Sequence, residues 1–71
     1  MKLHYYPDTD SLYIDLNAKP GVDSREVANG VVIDLDAEGN VVGIDIESAS
    51  TRLDLKTIET EALPAIRVKI A

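Results

Sequence analysis

The chain contains no cysteine, no tryptophan and no phenylalanine, and only one histidine. Without cysteine there is neither a disulfide framework nor a thiolate metal site, and nothing points to an oxidising compartment. The aromatics reduce to Tyr5, Tyr6 and Tyr13, so the core must be aliphatic. Positive charge is also scarce: 7 Lys and Arg stand against 13 Asp and Glu, a net −6. Such a balance does not neutralise phosphates, and the tyrosines lack the basic neighbours that base stacking requires, so direct nucleic-acid binding is not expected. Acidity serves solubility, or it suits a basic protein partner. Long apolar runs are missing as well. Met1 to Asp8 does not read as a secretory signal and no segment approaches membrane-spanning length, so the expectation is a cytoplasmic protein without a membrane role.

What is present is alternation. In Val31 to Ile46, one run puts Val31, Ile33 and Leu35 on one face, and a second does the same with Val42, Ile44 and Ile46. Folding about Glu38-Gly39 sets Leu35 opposite Val42, Ile33 opposite Ile44 and Val31 opposite Ile46, so both alternations agree on one register. Upstream, Lys2–Tyr6 and Ser11–Leu16 flank the turn Pro7-Asp8-Thr9-Asp10. Pairing about Asp8-Thr9 opposes Tyr5 to Leu12, Leu3 to Ile14, Lys2 to Asp15 and His4 to Tyr13. Between the hairpins, Ser24 to Val27 reads as a short strand entering Asn29-Gly30. Its register stays open: a two-residue turn opposes Arg25 to Asp34, and a three-residue loop opposes Val27 to Val31.

After the central hairpin, Ser48 or Ser50 can cap a helix of one or two turns, with Ala49 and Leu53 facing the sheet. Residues 55–63 read as mostly irregular, and Pro64 breaks whatever precedes it. Ile66-Arg67-Val68-Lys69-Ile70 alternates strictly and reads as a last strand. The expected fold is therefore a single domain, 1–71, of the α+β class and mainly β. It is a small antiparallel sheet of hairpins, five to six strands, with one short helix after the central hairpin. One such helix cannot cover the apolar face of the sheet, and a domain this small without disulfide or metal needs another source of buried area. A homodimer or higher homo-oligomer follows, formed by sheet faces or by exchange of the Ile66 to Ile70 strand.

The chemistry-bearing residues are few. Asp34-x-Asp36-x-Glu38-Gly39, ending at Asp45, has the oxygen-ligand spacing of a calcium loop with its bend-forming glycine. Its flanks are strands instead of helices, Val42 fills a ligand position, and Asp45 stands where a bidentate Glu is usual. More broadly, Asp15, Asp34, Asp36, Asp45 and Glu47 alternate outward, so an acidic outer face is a candidate for divalent-cation or small-ligand binding. His4 has neither a nucleophile nor a metal-ligand partner nearby in sequence. The serines sit in turn or cap contexts, and Gly39 and Gly43 do not make a phosphate loop. No catalytic residue, cofactor or enzymatic activity is expected.

Two motifs carry a resemblance. Tyr5-Tyr6-Pro7-Asp8-Thr9-Asp10-Ser11-Leu12-Tyr13-Ile14 is one. The other is Gly30-Val31-Val32-Ile33-Asp34-Leu35-Asp36 with Gly39 and Val42-Gly43-Ile44-Asp45-Ile46. In this order, over about residues 3 to 53, the chain resembles the small bacterial proteins grouped as domain of unknown function 2283. That family has no established activity and no catalytic residues to carry over. The resemblance implies, for some members, a place as the smaller partner in toxin–antitoxin-like pairs whose neighbour looks like a small basic ribonuclease. The function expected on all these grounds is a non-catalytic, self-associating protein-interaction module, with a basic protein as its partner. The alternative is a small-ligand or cation-binding protein using the acidic face.

Overall fold

The computed structural model describes all 71 residues. Five strands form one antiparallel sheet: β1 (Lys2–Tyr6), β2 (Ser11–Asp15), β3 (Asp23–Ala28), β4 (Val31–Leu35) and β5 (Val41–Ile46), followed by one helical turn, α1 (Ala49–Arg52). Their order is β1-β2-β5-β4-β3, so β5 lies in the middle and β1 and β3 are the edges. The expected antiparallel, mainly β fold with a single short helix is the observed one.

The first hairpin has the expected register throughout, with Tyr5 opposite Leu12, Leu3 opposite Ile14, His4 opposite Tyr13 and Lys2 opposite Asp15. In the central hairpin Val31 faces Ile46 and Ile33 faces Ile44, as expected, but Leu35 faces Val41. The register shifts between Asp34 and Leu35, leaving Val42 as the extra residue of a bulge. Val42 is buried all the same, and the β2–β3 loop lies against it at Gly21. At Asn29-Gly30 both candidate registers occur. Ala28 faces Val31 next to the turn, a shift follows, and Glu26 then faces Val32, Arg25 faces Ile33 and Ser24 faces Asp34. Gly30 supplies the positive φ of 74° that the turn needs.

The cap of α1 differs from expectation. Ser48 occupies the N-cap position in a left-handed conformation and makes no side-chain cap bond. Asp10, from the first hairpin turn, does that work. Its Oδ1 accepts from the Ser50 N–H at 3.1 Å, its Oδ2 from the Ser50 hydroxyl at 2.7 Å, and its carbonyl from the Ala49 N–H at 2.8 Å. The Tyr5 hydroxyl donates to the same carboxylate at 2.8 Å. At the other end of the helix, the Arg52 guanidinium donates to the Asn29 carbonyl. The short helix thus ties two distant turns to β2, and its first residue, Ala49, is fully buried.

Beyond Leu53 the chain makes no backbone hydrogen bond to the sheet. Ile66–Ile70 forms no strand, which corrects the sequence expectation: alternation fits a segment for pairing, but a strand exists only where ladder hydrogen bonds form, and this segment makes none to either sheet edge, β1 or β3. Seven residues of 71 are buried, and no large side chain is fully so. The sheet's apolar face is the reason. Ile14, Ile33, Ile44 and Ile46 are half-buried, and Leu3 and Tyr5 remain 48% and 41% exposed.

Candidate functional site

The outer face of the sheet holds a hydrogen-bonded array that crosses four strands. Tyr13 on β2 donates its hydroxyl to Asp34 Oδ2 on β4 at 2.7 Å, and Ser24 on β3 donates to Asp34 Oδ1 at 2.8 Å. Between them runs β5, and the phenol passes over it at Gly43, which stands opposite both Asp15 and Asp34. An ideal Cβ at Gly43 would lie 1.9 Å from the Tyr13 hydroxyl oxygen and 2.6 Å from the ring carbon that bears it. The glycine is what lets an aromatic lie flat on the strand.

Electrostatics follow from this geometry. The hydrogen bond to Asp34, then burial, then the charges of Asp34, Asp15 and Asp45 push the Tyr13 phenol up to about 12. The outward acids therefore do gather around one point, as the alternation implied for Asp15, Asp34, Asp45 and Glu47. They do not converge: no group of three acidic or histidine side chains is placed to hold a metal ion. Asp34 spends its two oxygens on Tyr13 and Ser24.

Asp36 follows β4, is only 7% exposed and braces the central turn. Its Oδ1 accepts from the Glu38 and Asn40 N–H groups, both at 2.9 Å, while its main chain bonds Asn40 and Gly39. Those bonds, led by Asn40, hold its carboxyl below the usual carboxylate range. The calcium-loop spacing is thus divided among a strand carboxylate, a turn brace and a second strand carboxylate. Read as a string these residues match a loop; paired as strands, Asp34 and Asp45 share the outer face while Asp36 is committed to the turn.

A shallow open cavity of about 640 Å³ adjoins the array, lined by Tyr6, Thr9, Ser11, Tyr13, Asp45, Glu47 and Ser48. Asp45 Oδ1 is buried there without a hydrogen-bond partner. His4 lies on the same face of β1 and packs against Tyr6 with ring centroids 4.2 Å apart. The arrangement fixes a phenol as donor and a carboxylate as double acceptor.

The Tyr13–Asp34–Ser24 array was not foreseen. Its signal lay in Gly43, a glycine inside a strand otherwise made of Val, Ile and one Asp, where close approach by another group is the usual reason. The sign of its pH dependence is set. A phenol whose folded pKa exceeds its unfolded value of ~10 supports the fold fully below that value and loses its contribution as pH rises through the folded one. Asp10, lowered first by the Ser50 hydroxyl and then by Tyr5, and Asp36 act oppositely. Their contributions are present above the unfolded carboxylate value of 3.8 and fade as pH falls through their folded values. Thermal unfolding across pH should therefore show a plateau with an alkaline fall between about pH 10 and 12. In Tyr13→Phe that fall should shrink while the acid limb is unchanged.

A family model described as a protein of unknown function, DUF2283, matches residues 2–50. The match runs from β1 into α1 and so includes the whole sheet and the Tyr13–Asp34–Ser24 array. No curated protein matches the chain. No solved structure matches it either.

Proposed function

The chain belongs to that family of proteins of unknown function, and from this premise we propose that it is a non-catalytic, self-associating interaction module. The observation that carries the reading is the uncovered apolar face. Leu3, Tyr5, Ile14, Ile33, Ile44 and Ile46 form one side of the sheet, and none of them is fully buried. A small chain without cysteine has few other ways to gain burial, and a second copy supplies it symmetrically. The opposite face suits a different kind of contact. It gathers Asp15, Asp34 and Asp45 around Tyr13 on a chain of net charge −6, which favours a basic protein as the outer partner.

Size-exclusion chromatography with light scattering tests the self-association. The expected result is a dimer or larger at micromolar concentration, and a stable folded monomer there would sink it. The outer contact is tested by affinity purification from the native host under gentle conditions. A basic protein should co-purify in salt-sensitive fashion, and recovery of the chain alone counts against that part of the reading.

A further inference from the structure

The apolar side of the sheet contains a groove with a defined shape. Leu3, Tyr5, Leu12, Ile14 and Ile46 form its floor, and residues 53–59, leaving α1, form one wall through Leu53, Leu55 and Ile58. It is open and encloses about 1110 Å³. The same chain ends in a segment that has no place in its own fold. Ile66, Val68 and Ile70 are 102%, 81% and 98% exposed, and they alternate with Arg67 and Lys69.

The geometry points to one occupant for that groove: the Ile66–Ile70 segment of a second copy, exchanged reciprocally. This rests on the self-association reading and specifies its contact. An extended strand directs alternate residues to opposite sides, so Ile66, Val68 and Ile70 can all meet the apolar floor while Arg67 and Lys69 stay at the rim. The rim provides Asp54 and Glu59, with Lys56 the one basic residue beside them, so the two cations of the tail meet a wall of opposite net sign. Exchange between two copies makes each contact twice, which suits a chain too small to bury its own apolar surface. The tail lies outside the family match at residues 2–50.

The test uses the full chain and the triple variant Ile66→Asp, Val68→Asp, Ile70→Asp. These side chains are almost wholly exposed, so circular dichroism should show the sheet intact. Light scattering should show the wild type as a dimer and the triple variant as a monomer, with the dimer dissociation constant raised by about 100-fold or more. A dimer that survives in the triple variant overturns the tail exchange and leaves self-association through sheet faces standing. A monomeric wild type overturns both. A second measurement fixes the location. A nitroxide on Val68→Cys, in a chain with no other cysteine, is mixed with ¹⁵N-labelled wild type. Broadening of the Leu3, Tyr5 and Ile14 amides in the labelled chain is expected. Broadening elsewhere, or only within the spin-labelled chain's own groove when that chain is the labelled one, overturns the proposal.

Discussion

Gly43→Ala should cost about 2–3 kcal/mol, far more than a glycine-to-alanine change in a strand normally does. A single methyl group cannot coexist with the Tyr13 hydroxyl 1.9 Å away, so the ring must leave the strand. When it goes, the 2.7 Å bond to Asp34 goes with it, and a carboxylate on a part-buried surface keeps only Ser24. Hydrogen bonds to charged groups contribute about 1.5–3 kcal/mol, which sets the scale. The mechanism has a sharper consequence than the magnitude. In a Tyr13→Ala background there is nothing left to collide with, and alanine suits an extended strand better than glycine, so the same Gly43→Ala change should be neutral or mildly stabilising. Urea unfolding of the four proteins at one fixed protein concentration measures this cycle. Additive effects would mean that the ring does not depend on the glycine.

Legibility in the sequence varied with the range of the interaction. The first hairpin and the Val31–Ile46 and Ile33–Ile44 pairs were readable because alternation on two adjacent strands must agree, and a one-residue slip would invert every side chain. The bulge at Val42 was not readable, because an extra residue next to a turn leaves the outer alternation untouched. Asp36 looks like one more exposed acid in the string and is instead a buried turn brace, because its carboxylate is taken up by main-chain N–H groups, which no side-chain pattern records. Asp10 was invisible as a helix cap for a different reason. It lies 40 residues from Ser50, and cap rules search only the residues beside the helix. The same limit applies to Tyr13 and Asp34, which are 21 apart and meet only because β5 runs between β2 and β4. Ile66–Ile70 erred in the other direction: its local pattern is that of a strand, and the chain provides it no partner.

Ile44→Asp should leave the chain unfolded at 25 °C. Ile44 sits in the central strand and is the one position paired with an isoleucine on both sides, Ile14 on β2 and Ile33 on β4. Removing its side chain forfeits about 1.5–3 kcal/mol of apolar burial. Placing a carboxylate between two isoleucines then adds about 1–3 kcal/mol for a polar group without a partner. Ordinary domains have only about 5–15 kcal/mol in hand, and one this small, with an aliphatic core and no cross-links, belongs at the low end. The two losses together, about 2.5–6 kcal/mol, are as large as that low end. Val41→Asp, three residues away on the same strand, is the internal control: Val41 is 39% exposed next to the turn and is paired on one side only, with Leu35, so its replacement should cost clearly less than Ile44→Asp and leave the chain folded. If Ile44 also lies under a second copy, its loss is felt once in each chain, and the variant should be unfolded at every accessible protein concentration. Far-ultraviolet circular dichroism and amide exchange decide the matter. A folded Ile44→Asp protein would show that the uncovered side of the sheet is not the core of the molecule.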